Sequence, residues 1–288
     1  MPKKKGNKII QSEDPYAICT VAVASLRSKP SHAEEQVSQL LFGEQAHILD
    51  RKGKQWLKVS TEWGGYIGWV PALQLYRIDK KDFEKNLEGQ AMALELVQGA
   101  LGRNHSVPIC IGSTLNRFDG MSFRMPDGKM TYSGQALLRD AVEMNNERLV
   151  KLGMKYIHAP YQWGGRSPFG IDGSGLIQMI YKLAGIRIPR DASGQIRAGE
   201  IVDFPSDAMP GDLAFFENAK GQIVHVGLIT EESQILHAFG KVRLDYFDHH
   251  GIYNSELGKY THKLRIIKRI DVGSERPSES FRALQSSD

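Results

Sequence analysis

The 288-residue chain is poor in cysteine, with only Cys19 and Cys110, far apart and at neither a metal-binding nor a disulfide spacing. A secreted disulfide framework is excluded, and the count fits a reducing compartment. No apolar run approaches the roughly 18 residues of a membrane span, so no membrane partner is expected. The start, "MPKKKGNKIIQSEDPY", is basic but has no apolar core. It does not read as a signal peptide, so a cytoplasmic location is expected, or a periplasmic or secreted one if a leader was removed. Strong charge is also missing. The formal net charge is +4, with much of the excess in Lys3, Lys4 and Lys5, and no basic face or aromatic-basic motif accompanies it. Nucleic acid is therefore not an expected partner.

What remains is an ordinary globular composition, 41% hydrophobic and 24% charged, long enough for two or three domains. Residues 1–13 are polar and read as a flexible N-terminus. Over 14–79, "AICTVAVASLR", "EQAHILD" and "QWLKVST" alternate apolar and polar residues, and "EWGG" turns into "YIGWVP". Period-two patterning with Gly and Pro punctuation predicts a small β-barrel. Residues 80–137 read as a linker and a second small β unit, with turns at Asp119-Gly120 and Asp127-Gly128. From about residue 138 the pattern changes. "QALLRDAVEMNNERLVKLGMKYI", residues 135–157, reads as helix, with Leu138, Ala141, Val142, Leu149 and Leu152 near helical spacing. A second helix follows over 174–184, with Leu176, Ile177, Ile180 and Leu183 on one face and Gly185 closing it. Three strands come next, "DLAFFE", "QIVHVGLIT" and "SQILHAFG". Helix before sheet predicts an α+β domain over 138–272, and 273–288 reads as a disordered polar tail.

Three features converge on chemistry. A glycine-rich turn, "GIDGSG", runs into the second helix, and a thiol at its first position would be acidified by the helix N-terminus. His225 in "VHVG" and His237 in "ILHAFG" lie on successive strands that a hairpin would bring side by side. One would serve as base while the other orients its ring. Each has a plainer explanation. A single strand histidine is usually a satisfied polar residue. Two histidines fall short of a zinc site, and no cysteine or carboxylate stands at ligand spacing beside them, so no metal or other cofactor is expected. "DGSG" alone is a capped helix start, with Asp172 or Ser174 as the cap.

Order and context carry more. "YQWGGRSPFGIDGSGLIQMIYKLAGIRIPRDASGQ", then "PGDLAFFE", "HVGLIT" and "ILHAFGKVRLD", closely resemble the NlpC-type cell-wall cysteine peptidases. "LRSKPSHAEEQVSQLLFGE" and "GGYIGWV" resemble the bacterial SH3-like domains that precede them. The nearest subgroup looks like the γ-D-glutamyl-L-diamino acid endopeptidases of the dipeptidyl-peptidase VI type. The resemblance implies a papain-like catalytic domain behind one or two SH3-like barrels. It implies a substrate class, murein peptides with a free N-terminal L-Ala, cut at the γ-D-Glu–diamino acid amide. It makes His225 the base, His237 its orienting partner and Tyr161 a site-wall or oxyanion donor. Asp172 and Ser174 would bind the substrate ammonium, with Tyr66 and Glu35 of the first β domain closing that end. The family's nucleophile position is occupied here by Gly173, so the chain as written is expected to be inactive. A non-catalytic pseudoenzyme that binds murein peptides or a protein partner is the alternative.

Overall fold

A computed structural model describes residues 15–139, 144–231 and 233–272. The N-terminal stretch and the C-terminal tail of the sequence reading lie outside them. Seven short strands come first: β1 Tyr16–Cys19, β2 Val23–Arg27, β3 Gln36–Leu41, β4 Gln45–Lys52, β5 Trp56–Thr61, β6 Ile67–Pro71 and β7 Leu75–Ile78. They form one antiparallel sheet in the order β3-β2-β6-β5-β4-β1-β7. The alternation seen in the sequence is the reason: Ala24 and Leu26, or Leu57 and Val59, turn inward to one core while their neighbours face out. This is the small barrel.

Helix α1, Lys80–Leu87, is capped by the Asp79 side chain accepting from the Asp82 N–H. Two small sheets follow. β8 Ala91–Ala93 lies between β11 Thr114–Leu115 and β14 Ala136–Leu138. β9 Val97–Leu101 lies between β10 Ser106–Cys110 and β13 Gly128–Thr131, which pairs in turn with β12 Ser122–Met125.

The helix expected over 135–157 needs correction. Residues 136–138 are strand β14, with Leu137 opposite Met92 and Leu138 opposite Ala91. Pairing with β8 overrides the helical spacing of Leu138. Ala141 and Val142 lie outside the described residues. Helix α2 runs from Asn146 to Met154, where Asn145 caps the N–H of Arg148.

A short hairpin, β15 Arg166–Ser167 with β16 Gly170–Ile171, leads into helix α3, Gly173–Leu183, and a brief α4, Ala192–Gln195. The remaining strands are β17 Glu200–Val202, β18 Leu213–Glu217, β19 Ile223–Glu231, β20 Gln234–Phe239, β21 Lys241–Asp248, β22 Gly251–Asn254 and β23 Lys259–Arg269. Their order is β17-β23-β18-β19-β20-β21-β22, and β22 also pairs with β23, so six of them close on themselves. α3 packs on β19 and β20, and Leu176, Ile177 and Ile180 share a core with Val226, Leu228 and Leu236. Among the described residues no helix is long and apolar enough to cross a membrane.

The first barrel is fastened to this α+β part through buried charge. Glu44 accepts from Arg166 at 2.8 and 3.0 Å and also from Lys182 of α3. Lys182 donates further to the Gly112 carbonyl at 2.7 Å, and Arg166 to the Gln39 carbonyl at 2.6 Å.

Candidate active site

The turn ahead of α3 is held by close backbone approach. Gly164 has φ +72°, and a Cβ there would lie 2.4 Å from the Gln36 carbonyl oxygen. A Cβ on Gly175 would lie 2.2 Å from the Gly165 carbonyl oxygen. Only glycine fits either place. Asp172 caps α3, accepting from the Gly175 N–H at 2.7 Å and from the Gly164 N–H at 2.8 Å. Gly173 is therefore the first helical residue, facing the strands of the closed sheet.

His225 and His237 sit on adjacent antiparallel strands, β19 and β20, both buried. Nε2 of His225 is 3.0 Å from Nδ1 of His237, and Nε2 of His237 is 3.2 Å from Oδ2 of Asp245 on β21. A carboxylate only accepts, so the proton order follows from that end. His237 donates from Nε2 to Asp245, and its Nδ1 accepts from Nε2 of His225. Nδ1 of His225 is left with a lone pair. A Cβ built on Gly173 would lie 3.1 Å from that Nδ1 and 3.2 Å from the Val226 carbonyl oxygen. The lone pair thus meets residue 173, and a side chain there would press its neighbours outward by a few tenths of an ångström.

Electrostatics keep these rings neutral. Burial pushes His225 well below the usual imidazole value, with His262 and His237 adding to it. Burial also lowers His237, although Asp245 pulls the other way. Asp245 is held down, against its own burial, by hydrogen bonds from His237 and Asn254. A neutral imidazole with its other ring proton committed offers one free lone pair, the form a general base needs, while burial lowers its basicity.

Sequence reasoning missed two members of this cluster. Asp245 has no local signature. It comes into place because His237 pairs with Arg243, which sets Asp245 on the diagonal of the same face. His262 of β23 lies over His225, with ring centroids 4.1 Å apart and planes at 27°. His225, His237 and His262 bring one ring nitrogen each within 4.8 Å of one another. A zinc ion needs in-plane lone pairs meeting about 2.0–2.1 Å away. Two rings lying face over face direct theirs side by side, so this arrangement suits a stacked pair better than a metal centre.

The substrate-binding candidates fall at the other end. Tyr161 is partly exposed and its hydroxyl is raised by burial and then by Asp172. Ser174 Oγ accepts from Arg190 at 2.9 Å. Asp172, however, is already paired. Nη1 and Nη2 of Arg190 reach its two carboxylate oxygens at 2.9 and 2.6 Å. It is not the lone buried anion that an ammonium clamp needs.

Glu35 accepts from the Trp163 indole at 2.6 Å, which brings the first barrel to the turn before α3. Tyr66 lines a cleft of about 460 Å³ with Gly64, Arg190, Asp191 and Ser193. Burial raises the Tyr66 hydroxyl; the charge of Asp191, and more weakly those of Glu35 and Asp172, add to it, while Arg190 opposes it. Of these carboxylates, Asp191 lines the cleft itself. Asp191, absent from the sequence-based set, has its carboxyl raised by burial. The signal for it was the quoted "IPRDASGQ".

Fold and site together define a papain-like α+β scaffold: a helix N-terminus opposite a His-His-Asp relay, behind a small β-barrel, with Gly173 as the first residue of that helix. The comparisons agree. Residues 158–264 match the NlpC/P60 family and 26–75 the bacterial dipeptidyl-peptidase Sh3 domain. The chain is 30% identical over 217 residues to the gamma-D-glutamyl-L-lysine dipeptidyl-peptidase of Bacillus subtilis (strain 168), covering 70% of this chain and 71% of that protein. It is 28% identical over 265 residues to dipeptidyl-peptidase 6 of Lysinibacillus sphaericus, covering 84% of this chain and 95% of that one. The solved structure of an NlpC/P60 family protein from Bacillus cereus ATCC 10987 superposes with TM-score 0.75 at 22% identity, over 88% of this chain and 99% of that chain. The protein belongs to the NlpC/P60 family.

Proposed function

We propose that this chain is built to hydrolyse murein-derived peptides with a free N-terminal L-Ala, at the γ-D-Glu–diamino acid amide, and that Gly173 leaves it hydrolytically silent. The observation that carries the reading is the relay ending in the His225 Nδ1 lone pair beside residue 173. With a thiol at that position, Nδ1 takes its proton and the thiolate attacks the amide carbonyl carbon. The new C–S bond forms, the C–N bond breaks, and His225 returns the proton to the leaving amine. Water then releases the acyl group. Tyr161 and the first N–H groups of α3 would steady the oxyanion. The substrate ammonium goes to the cleft lined by Tyr66 and Asp191, within reach of the Glu35 charge, since Asp172 is taken by Arg190; the names of the relatives supply the substrate class.

A binding-only role is the second reading, and Gly173 itself favours it, since the glycine removes chemistry and few contacts. The variant Gly173→Cys separates the two. It is expected to release L-Ala-γ-D-Glu from L-Ala-γ-D-Glu-L-Lys or its diaminopimelate analogue, roughly 10⁴-fold or more above the parent chain. The N-acetylated peptide should not be cut. A folded Gly173→Cys protein without activity on either peptide would overturn the enzyme reading.

A further inference from the structure

We propose that His262 is a positioning residue of this site: its ring covers one face of His225 and holds that imidazole edge-on to residue 173. The inference rests on the peptidase reading above. A hydrogen bond from Nε2 of His225 to His237 fixes the direction of one ring nitrogen. It does not fix the ring plane, because the terminal torsion of histidine is soft. A swing about that hydrogen bond would carry Nδ1 away from residue 173. The stack at 4.1 Å and 27° supplies the missing constraint. His237 meets His225 edge-on at 85°, and Phe216 is tilted at 44°, so neither fixes the plane in the same way.

His262 is itself immobilised. Its backbone pairs with Ile252 of β22. Its Nδ1 is hydrogen-bonded to Oγ1 of Thr261 at 2.8 Å, and that hydroxyl also lies 3.3 Å from the Ile252 carbonyl oxygen. Phe239 stands at right angles to its ring, centroids 5.2 Å apart. His262 also lines a second cleft of about 570 Å³ with Glu217, Tyr260 and Lys263. It is therefore the wall between His225 and solvent on that side. The groups facing His225 are His237 from β20, His262 from β23, Phe216 from β18 and Gly173 from α3, with Asp245 and Arg243 of β21 behind His237. Burial, then His237, takes His262 down to about 4, so it adds no charge against a protonated His225 at neutral pH.

The test replaces His262 by Phe, which keeps a flat ring, and by Ala or Leu, which do not. In the chain as it stands, imidazole ¹⁵N NMR follows the titration of His225. His262→Ala should raise its midpoint by about one pH unit as water reaches the ring, whereas His262→Phe, which removes only the repulsion from His262, should raise it less. In Gly173→Cys, His262→Ala should lower kcat about tenfold with KM nearly constant, while His262→Phe keeps kcat within about threefold. If the Ala variant does not fold, His262→Leu fills the volume without a flat ring and should behave as Ala does. A folded Ala or Leu variant with unchanged titration and kcat would overturn the proposal. So would a Phe variant as impaired as Ala. The titration arm stands even if Gly173→Cys proves inactive, so failure of the peptidase reading and failure of this one are separable.

Discussion

Two buried polar clusters lie on opposite sides of α3, and they are built on opposite principles. Between the first barrel and the helix, Glu44 meets Arg166 and Lys182, all three charged and all essentially without solvent exposure. Beside residue 173, His225, His237 and His262 are neutral; the hydrogen bonds run from His225 through His237 and are anchored at one end by Asp245, with His262 stacked on His225. The first cluster closes on itself. The second ends in a lone pair with nothing yet to bind. A saturated charge cluster holds parts in register, whereas a neutral relay with one open end can move a proton. The difference separates the scaffold from the chemistry.

The largest effect should come from opening the closed cluster. Glu44→Ala leaves two cations buried with no anion between them. The expected loss is about 3–5 kcal/mol, read from chemical denaturation. Acid should reach the same contact. Burial alone would raise the Glu44 carboxyl, but Arg166 and Lys182 outweigh it and hold the group down at about 2, against an ordinary value of 4.5. A depressed carboxylate contributes stability above its unfolded value and loses it as pH falls through the folded one. About 3 kcal/mol should therefore disappear between pH 4.5 and 2. A Glu44→Ala protein as stable as its parent would mean that the cluster does not hold the domains in register.

How much of this was legible depends on the range of the contacts. The helix start at "DGSG" and the two strand histidines are local patterns, and the fold puts them together as their spacing implies. β14 reads as helix because Leu138 satisfies a helical spacing until β8, whose Ala91 lies 47 residues earlier in the chain, is there to pair with it. Glu44, Asp245 and His262 carry no motif. Glu44 finds its partners 122 and 138 residues away. Asp245 depends on the register of β20 with β21, and His262 on β23 closing the sheet. A one-residue slip in either register would turn these side chains to the other face.

The open-ended cluster should respond through rate and not through stability. In Gly173→Cys, a further Asp245→Asn change keeps the size of the side chain but presents an amide to His237. The tautomer that leaves Nδ1 of His225 free is no longer enforced. A drop of about 10- to 100-fold in kcat is expected, roughly 1.4–2.7 kcal/mol, with the change in denaturation midpoint small. Equal losses of stability and rate would place Asp245 in the scaffold class with Glu44.

The smallest effect tests where the relay's substrate is held. Tyr66 comes from the first barrel, so it joins the part fastened by Glu44 to the part that reacts. Its hydroxyl lies in the field of Asp191 and Glu35, the carboxylates proposed to receive an ammonium, with Arg190 acting against them. Tyr66→Phe removes one hydrogen bond and leaves the ring and the carboxylates in place. Such a loss is about 1 kcal/mol, or roughly fivefold in affinity. Calorimetry on the parent chain and the Tyr66→Phe variant should show that fivefold weakening for L-Ala-γ-D-Glu-L-Lys. The N-acetylated peptide has no charge for these groups to meet, and it should bind both proteins equally weakly. If Tyr66→Phe weakened the two peptides alike, the barrel would be shaping the cleft and not reading the amine.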